Sequence, residues 1–339
     1  MRMIGFINPT LRQIESELLA SRKIEFVVAR SAAELREKIP GAEAVLVSNS
    51  TYSGEVAEIL RAAPGLRWIQ TASIGVENLL ARPPRPGVVL TNAAGLKAPT
   101  VAEHAVALLL ALARNVDSAV ELRRAHRWAP DELAPDMRSL AGKNVLCLGY
   151  GAIGREVARK LLAFDAEVTA LTRTGEGPPP ATHIVPYGTL DAVLPGADAV
   201  VLALPLAPET RNVMSRARLA RMKPTAFLVN VGRGELVDEA ALAEALTGKR
   251  LGGAALDVFA AEPLAGTSPL WGCPRTIVSP HVAGQGGPGE RLLARLIHEN
   301  ADRLKRGEPL ANVVAVPLSA GNGGSQGGSA HAQTRSGAV

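Results

Sequence analysis

The stretch NVLCLGYGAIGREVARKLL, residues 144–162, decides the fold class of this chain. It starts with an apolar run suited to a buried strand, turns through GYGAIG at 149–154, and continues with apolar residues at helical spacing. A glycine-rich turn that links a strand to a helix in this way is typical of the dinucleotide site of a parallel sheet. The stretch therefore predicts an α/β domain that binds a dinucleotide cofactor at this turn.

Each glycine of the turn has a separate physical role in that interpretation. Gly149 permits the tight turn, Gly151 lets the backbone approach a pyrophosphate, and Gly154 lets the helix pack closely on the strand. The helix that follows offers free backbone N–H groups and the positive end of its dipole to an anion. The predicted cofactor-binding residues of the turn are Gly149, Tyr150, Gly151, Ala152, Ile153 and Gly154.

Short apolar runs alternate with longer helical stretches on both sides of this turn, the pattern of parallel sheets covered by helices on both faces. Before residue 98, strands are predicted at 3–7, 24–29, 44–48, 66–71 and 88–92. After residue 143, strands are predicted at 144–149, 167–172, 183–185, 199–204, 226–231, 253–258 and 276–280. The two series predict an α/β protein with two doubly wound parallel sheets.

Two long helices organise the predicted domains. One is predicted over 99–126, with Pro99 in its first turn, and connects the two series of strands. The other, at 290–305, is placed to cross back to the first domain. We therefore predict a dinucleotide-binding domain over 99–283 and a smaller domain formed by 1–98 and 284–318. Residues 319–339, rich in Gly, Ser and Ala, are predicted to be disordered.

Length and composition narrow the class of protein. With 339 residues, of which 47% are apolar, the chain is long enough for about two domains. Its longest apolar run, 105–113, is far shorter than the ~20 residues that span a bilayer, and no secretory signal is visible. The two cysteines predict no metal site and a reducing compartment, the cytoplasm. The net charge of +5 is spread over 37 basic and 32 acidic residues, so no nucleic-acid partner is predicted.

The strand predicted at 167–172 bears on which dinucleotide is bound, because an acidic residue at its end would bind the ribose hydroxyls of NAD. Thr172 and Arg173 stand there instead, while Asp165 and Glu167 lie at the opposite end of the strand. A guanidinium beside this position can pair with a 2′-phosphate, and the Thr172 hydroxyl can donate a hydrogen bond to it, so Thr172 and Arg173 are both predicted to bind the cofactor. We therefore predict NADP in preference to NAD, the alternative being that Arg173 is only a solvated loop residue.

Four ionisable residues follow the carboxyl ends of predicted strands, where ligands bind in doubly wound sheets. Arg233 lies between two glycines, and its planar fork suits a carboxylate. Asp257 ends the strand GAALDV, Glu262 follows in the next loop, and His281 comes directly after TIVSP. A histidine beside a carboxylate can serve as an acid–base catalyst. On a nucleotide-binding sheet, this set predicts a hydride-transfer site.

Several longer motifs contain these residues: TASIGVENL (71–79), TVAEHAVALLLALAR (100–114), GYGAIG (149–154), LPLAPET (204–210), NVGRGELVD (230–238), ALDVFAAEPL (255–264) and SPHVAG (279–284). Together they resemble the D-isomer-specific 2-hydroxyacid dehydrogenase family, most closely its glyoxylate/hydroxypyruvate reductase branch. The resemblance covers residues 41–316. It implies a Rossmann cofactor domain inserted into a smaller flavodoxin-like substrate domain, a homodimer, and hydride transfer between NAD(P)H and a small 2-keto acid.

The resemblance also assigns residue roles. It implies that Arg233 holds the substrate, that His281 is the general acid, and that Glu262 is the carboxylate paired with it. It implies that Asp257 fixes the nicotinamide carboxamide. Ser73, Ile74 and Gly75 are implied to bind the substrate carboxylate, and Leu204, Pro205, Val231, Gly232 and His281 to contact the cofactor.

Departures from the family pattern refine these expectations. The aspartate usual at the end of the second cofactor-domain strand is replaced by Thr172, which resembles the NADP-preferring members. Thr71 stands where relatives that act on phosphoglycerate tend to carry an arginine, which argues against a phosphorylated substrate. Two alternatives stay open. One is a non-catalytic, dinucleotide-sensing protein similar to a co-repressor, because a fold does not by itself fix a function. The other is an enzyme that uses the same cofactor domain for a different small substrate, such as an amino-acid or hydroxysteroid dehydrogenase, although the Tyr-x-x-x-Lys pair that would mark the latter does not occur in this sequence.

Overall fold

The computed structural model describes residues 1–7 and 11–315 of the 339-residue chain. The predicted disordered tail at 319–339 lies outside the described residues. Within them, two parallel sheets are present, and every pairing between neighbouring strands is parallel. The prediction of two parallel-sheet α/β domains is therefore confirmed.

The strands are numbered along the chain. The smaller sheet contains β1 (Arg2–Phe6), β2 (Glu25–Val28), β3 (Ala44–Val47), β4 (Trp68–Thr71) and β5 (Val89–Thr91). The larger sheet contains β6 (Asn144–Leu148), β7 (Glu167–Thr172), β8 (His183–Pro186), β9 (Ala199–Leu202), β10 (Phe227–Asn230), β11 (Gly253–Leu256) and β12 (Thr276–Val278). Each predicted strand is present, and most are one or two residues shorter than predicted.

The order of strands identifies both sheets. The smaller sheet has the order β2-β1-β3-β4-β5, which is the flavodoxin-like doubly wound arrangement. The larger sheet has the order β12-β11-β10-β9-β6-β7-β8. Counted from β6, this is the Rossmann order with one further strand at an edge. In both sheets the order of the strands reverses at an internal strand, where the connections start to run toward the opposite edge. Ligands bind beside such points.

The helices cover both faces of the two sheets. They are α1 (Arg12–Leu19), α2 (Ala32–Lys38), α3 (Gly54–Arg61), α4 (Glu77–Ala81), α5 (Ala98–Ala113), α6 (Val116–Arg124), α7 (Pro130–Leu133), α8 (Ala152–Leu162), α9 (Leu190–Val193), α10 (Arg216–Leu219), α11 (Glu239–Thr247) and α12 (Gly289–Arg306). Among residues 1–7 and 11–315, none of these helices combines the length and hydropathy needed to cross a membrane.

The larger sheet is buried on both faces because its strands carry consecutive apolar residues, as parallel strands between helices do. Leu146 and Leu148 of β6 face a core that contains residues of α11. Val145 and Cys147 of the same strand face the opposite core, which contains residues of α5 and α8. Helices on both faces thus make the sheet rigid and leave its carboxyl edge open for ligands.

The prediction of one continuous helix over 99–126 is wrong, because the structure divides this segment into α5 and α6. The break lies at Asn115, which adopts a left-handed conformation with φ of 54° and ψ of 33°. Asparagine tolerates this conformation better than most residues. Its side-chain Nδ2 also donates to the carbonyl oxygen of Leu133 at 2.7 Å, so the break is held from the following loop. That loop contains the short helix α7, which the sequence did not predict.

Helix α12 packs against the smaller sheet. Leu293 and Ile297 of this helix lie in one core with Met3 and Trp68 of the smaller sheet. At its N-terminal end, a carboxylate oxygen of Glu290 accepts a hydrogen bond from the backbone N–H of Ile14 at 3.0 Å. The core on this face of the smaller sheet is thus formed by residues that come before and after the larger sheet in the chain.

Candidate active site

The carboxyl ends of the strands form two edges that face each other. Parallel strands end on the same side of a sheet, so the loops after β6, β7, β9, β10, β11 and β12 share one edge. Arg233 follows β10 at that edge, and its Nε donates to a carboxylate oxygen of Glu77 at 3.2 Å. Glu77 begins α4, shortly after β4 of the smaller sheet. The cleft between the two sheets therefore lies where these loops meet.

The glycine-rich turn has the geometry that a dinucleotide requires. Gly149 has a φ of +95°, and a Cβ there would lie 2.7 Å from the carbonyl oxygen of Ala203. A Cβ at Gly154 would overlap the carbonyl oxygen of Gly149. At Gly151, by contrast, no atom lies within 4 Å of the Cβ position, and this residue is exposed. Two of the glycines are thus needed for internal packing, and the third faces open space.

Helix α8 begins directly after this open space. Gly151 is its N-cap, and no side chain among the described residues caps the first turn. The backbone N–H groups at this end therefore remain available to an anion, and the helix dipole favours one. Free donors beside a position where a side chain is absent fit the pyrophosphate of a dinucleotide. The residues of the predicted turn are thus brought together as expected.

Tyr150 turns its side chain away from this space. Its hydroxyl accepts a hydrogen bond from the backbone N–H of Ala181 at 2.7 Å, and a Cβ at Gly177 would touch its ring. Burial raises the pKa of Tyr150, so the phenol stays protonated. The side chain therefore anchors the loop after β7, and a cofactor contact by Tyr150 stays a prediction for its backbone.

The end of β7 differs in detail from the sequence-based expectation. The Thr172 hydroxyl accepts from the backbone N–H of Gly175 at 2.9 Å and donates to the carbonyl oxygen of Glu176 at 3.1 Å. Its proton is therefore used inside the turn and is not directed toward a ligand. Arg173 is exposed, and its guanidinium forms no ion pair or hydrogen bond with the described part of the chain. Of the two residues, Arg173 is the one free to contact a phosphate.

The loops after β9 and β10 contact each other beside the turn. A Cβ at Gly232 would lie 2.9 Å from the carbonyl oxygen of Leu204, and a Cβ at Gly149 would lie 2.9 Å from the backbone nitrogen of Leu204. Pro205 accepts a hydrogen bond from the Thr210 hydroxyl at 2.8 Å. Val231 is 6% exposed and packs in the core. The structure thus places these predicted cofactor residues around the glycine turn, while their contacts with a cofactor stay predictions.

Arg233 spans the cleft. Its Nε donates to Glu77, and its Nη1 donates to the carbonyl oxygen of Gly232 at 2.8 Å. A Cβ at Gly75 would collide with the Nη2 atom of the same guanidinium. Two of the three nitrogens are therefore held by the protein, and the third lies against the 73–75 loop of the smaller domain. The predicted substrate arginine and the predicted substrate loop are thus brought together.

The 73–75 loop is held in place by its own polar groups. The Ser73 hydroxyl donates to the carbonyl oxygen of Gly75 at 2.9 Å, and the backbone N–H of Ser73 donates to the Thr71 hydroxyl at 2.9 Å. Asn92 donates to the carbonyl oxygen of Ile74 at 3.0 Å. The backbone N–H groups of Ile74 and Gly75 have no hydrogen-bond partner among residues 1–7 and 11–315. Two donors therefore remain free beside Arg233 Nη2.

His281 and Glu262 form the predicted pair. The Nδ1 atom of His281 lies 2.7 Å from a carboxylate oxygen of Glu262. The other oxygen of Glu262 accepts from the backbone N–H of Phe259 at 3.0 Å, which fixes the carboxylate. The His281 side chain is 53% exposed, and its Nε2 has no hydrogen-bond partner in the described part of the chain. This nitrogen is therefore free to exchange a proton with a ligand in the cleft.

Asp257 is 1% exposed, unlike the other three ionisable residues at this edge. One of its carboxylate oxygens accepts from the Ser279 hydroxyl at 2.6 Å and from the backbone N–H of Val282 at 3.0 Å. The other oxygen accepts from the backbone N–H of Ala283 at 3.0 Å. Only this second oxygen keeps a free lone pair, because a carboxylate oxygen accepts about two hydrogen bonds. If Asp257 contacts the nicotinamide carboxamide as predicted, it therefore does so through this second oxygen.

Sequence reasoning missed three polar residues of this region. Glu77, His104 and Ser279 lie in motifs noted above, yet each was passed over as part of a loop or of a helical pattern. Their partners lie far along the chain: Glu77 bonds to Arg233, 156 residues away, and His104 to Ser279, 175 residues away. A polar residue inside the largely apolar run of α5 was the available signal for His104.

The two cysteines lie outside this chemistry. Cys147 and Cys273 are both free and buried. Burial raises the pKa of Cys147 to about 12, so its thiol stays protonated and unreactive. The reactive groups of the cleft are therefore the arginine, the histidine and their carboxylate partners.

Residues 106–283 match the family model described as "D-isomer specific 2-hydroxyacid dehydrogenase, NAD binding domain". The chain is 34% identical, over 84% of its length, to D-3-phosphoglycerate dehydrogenase from Mycobacterium tuberculosis, and it spans about half (53%) of that longer relative. It is 32% identical to the glyoxylate reductase of Pyrococcus furiosus, over 81% of this chain and 83% of that protein.

A solved structure of a relative has a similar fold. The NADPH-dependent glyoxylate/hydroxypyruvate reductase of Sinorhizobium meliloti, in complex with NADP and sulfate, superposes with a TM-score of 0.79. The two sequences are 26% identical, and the match covers 92% of this chain and 98% of that one. The similarity therefore extends over both sheets.

The glycine turn yields a test that needs no substrate. We expect Gly154→Ala to lower the free energy of unfolding by about 1–3 kcal/mol, because the new Cβ would overlap the carbonyl oxygen of Gly149. Gly151→Ala is the matched control: its φ is −75° and its Cβ would meet open space, so its stability should be unchanged. Calorimetric melting of both variants checks this. Equal melting temperatures would contradict the packing role of Gly154.

Proposed function

The chain belongs to the D-isomer-specific 2-hydroxyacid dehydrogenase family, and on that premise we propose that it is an NAD(P)H-dependent reductase of small 2-keto acids. We further propose a substrate of the glyoxylate or hydroxypyruvate type. The observation that carries the proposal is the contact of Arg233 with the 73–75 loop, which brings Nη2 close to the backbone of Ile74 and Gly75, while Nη2 and the N–H groups of both residues have no hydrogen-bond partner in the described part of the chain. Such a cluster of donors fits the carboxylate of a keto acid.

The substrate is held by its carboxylate in this proposal. Arg233 Nη2 and the N–H groups of Ile74 and Gly75 donate to it, while Glu77 keeps the guanidinium in place through Nε. Glycine at 75 matters, because any side chain there would displace Arg233 or Glu77. Since one ligand group is held from both sheets, binding aligns the keto carbon against the edge of the larger sheet.

His281 supplies the proton. Its Nδ1–H donates to Glu262, so the proton on Nε2 is the one that can pass to the carbonyl oxygen of the substrate. Glu262 stabilises the protonated ring and fixes its orientation. As the C=O bond accepts a hydride at carbon and this proton at oxygen, it becomes the CH–OH of the 2-hydroxy acid. In the reverse direction, Nε2 accepts the hydroxyl proton.

A nicotinamide dinucleotide, when bound, supplies or accepts the hydride. The turn Gly149 to Gly154 and the start of α8 would hold its pyrophosphate, with the loops after β9 and β10 beside it. The adenosine ribose would lie near the end of β7. We propose NADP there rather than NAD, because Arg173 is exposed and unpaired and no carboxylate ends this strand.

A non-phosphorylated substrate is proposed over phosphoglycerate. The relatives include a phosphoglycerate dehydrogenase and a glyoxylate reductase at similar identity, so the choice between the two substrate classes is argued from the residues of this chain. Thr71, in the position where phosphoglycerate relatives tend to carry arginine, is fully buried, and its hydroxyl is bonded to Ser73. It offers no positive charge to a second anionic group.

Two further sequence-based expectations stay predictions, namely the homodimer and the cytoplasmic location. A side chain that bears on the first is Trp128, which follows α6 and is 96% exposed. An exposed ring of this size could pack against a second copy of the chain, which is the role that the expected homodimer gives it.

A substrate panel tests the proposed function. With NADPH or NADH, we expect glyoxylate and hydroxypyruvate to give higher kcat/KM than pyruvate, phenylpyruvate or phosphohydroxypyruvate. His281→Ala should lower kcat by about a hundredfold or more, because the general acid is lost, while dinucleotide affinity is kept. Dinucleotide binding without reduction of any keto acid would instead support the co-repressor-like alternative. A preference for phosphohydroxypyruvate would contradict the substrate class.

Arg233→Lys tests the carboxylate site. An ammonium cannot bond at once to Glu77, to the Gly232 carbonyl and to a substrate carboxylate as the guanidinium can. Losing charge-assisted hydrogen bonds of this kind costs about 1.5–3 kcal/mol, so kcat/KM should fall by about ten- to a hundredfold. Steady-state kinetics on the keto acid that the panel selects gives the value. Unchanged kcat/KM would place the carboxylate elsewhere.

Cofactor preference tests the end of β7. We expect NADPH to exceed NADH by about five- to a hundredfold in kcat/KM at low salt, with a smaller ratio as ionic strength rises. Arg173→Ala should remove most of the preference, and Thr172→Asp with Arg173→Ala should reverse it. Arg291→Ala, an exposed arginine on α12, serves as the control. Equal or better use of NADH by the wild type would show that Arg173 is only a solvated loop residue.

A further inference from the structure

The backbone just after His281 is tied to Asp257 at three points. The N–H of His281 donates to the Asp257 carbonyl oxygen at 2.8 Å, and the N–H groups of Val282 and Ala283 donate to its two carboxylate oxygens. His281 itself has a φ of 54°, a conformation that a histidine keeps only when its surroundings enforce it. The position of the His281 ring therefore depends on where the Asp257 carboxylate is held.

The Asp257 carboxylate is in turn held by Ser279 and His104. The Ser279 hydroxyl lies 2.6 Å from Asp257 Oδ1 and 3.0 Å from His104 Nε2. A hydroxyl has one proton, and the carboxylate can only accept, so Ser279 donates to Asp257 and accepts from His104. His104 therefore carries a proton on Nε2. This nitrogen also lies 3.4 Å from Asp257 Oδ1, which adds a direct electrostatic attraction.

His104 lies on α5, far along the chain from the loop after β12 that contains His281. The apolar residues of α5 pack in one core with α8 and the larger sheet, so the His104 imidazole projects from a rigid element. Its side chain is 27% exposed, whereas that of Asp257 is 2% exposed. The chain of contacts runs from this helix through Ser279 and Asp257 to the backbone that carries His281.

We propose that His104 is a positioning residue for the reaction: it orients Ser279 and Asp257, and through them the backbone that sets the His281 ring beside the substrate. The proposal rests on the proposed role of His281 as the general acid. His104 itself contacts neither Arg233 nor the 73–75 loop through any hydrogen bond or ion pair in the described residues. Its effect on catalysis should therefore appear in kcat and leave substrate binding unchanged.

Two substitutions separate the hydrogen bond from the volume of the ring. His104→Phe keeps the ring and removes the donor, whereas His104→Gln restores an N–H donor of similar reach. His298→Phe is the matched control, because His298 also lies on a helix and contacts a serine, Ser21, through Nε2 at 2.8 Å, but it belongs to α12 in the smaller domain. The three variants should melt at similar temperatures. Ser279→Ala independently removes the hydroxyl that links His104 to Asp257.

Kinetics with glyoxylate give the first readout. We expect His104→Phe to lower kcat by about tenfold with the KM for glyoxylate nearly unchanged, because a misplaced reacting group lowers the rate of the chemical step. His104→Gln should recover most of the rate, and His298→Phe should match the wild type. Ser279→Ala should resemble His104→Phe, and the double variant should be no slower than either. Equal kcat for His104→Phe and His298→Phe, or additive losses in the double variant, would overturn the proposal.

Hydrogen–deuterium exchange of the full-length protein gives a readout that needs no substrate. The amides of Val282 and Ala283 should exchange faster in His104→Phe than in the wild type, His104→Gln or His298→Phe. If the wild type reduces no keto acid, the proposed function fails, while this measurement still decides whether His104 holds the loop. Unchanged exchange in His104→Phe would overturn the positioning role, whatever the activity of the enzyme.

Discussion

All the chemistry of this chain depends on one constraint, that strands of a parallel sheet end on the same side. Both sheets obey it without an antiparallel pair among their strands, and both are buried on their two faces. Side chains within the strands are therefore committed to the core, and only the loops at the carboxyl edges can carry polar groups toward a ligand. The glycine turn, Arg233 and His281 each follow a different strand, and the sheet brings them to one place.

The groups that face the cleft are held by a second layer of polar residues. Arg233 is fixed by Glu77 and by the carbonyl oxygen of Gly232, and His281 is fixed by Glu262 on its ring and by Asp257 on its backbone. In each case acceptors of the protein engage all but one of the side-chain nitrogens of the functional group. What remains free, Nη2 of the arginine and Nε2 of the histidine, faces the cleft. Pre-arranged groups of this kind need little reorganisation when a reaction takes place.

The two ends of the candidate cofactor site depend on different physical effects. Gly149 and Gly154 are required by close packing and Gly151 leaves open space for a ligand, so the roles of all three follow from sterics and were visible in the sequence. At the end of β7, the choice of cofactor depends on charge. There the structure corrects one detail, because the hydroxyl of Thr172 is bonded within its own turn and Arg173 alone is left to meet a phosphate.

The sequence by itself determined the fold class, the strands of both sheets, the glycine turn and the candidate residues Arg233, Glu262 and His281, because each follows from local spacing and from the rule that ligands bind at strand ends. It also indicated the family, which the comparisons confirm. Only the tertiary structure decided that α5 and α6 separate at Asn115, that Glu77 pairs with Arg233, and that His104 reaches Ser279. Apolar periodicity reports which face of an element is buried, whereas a hydrogen bond between residues more than 150 positions apart depends on how whole elements are placed.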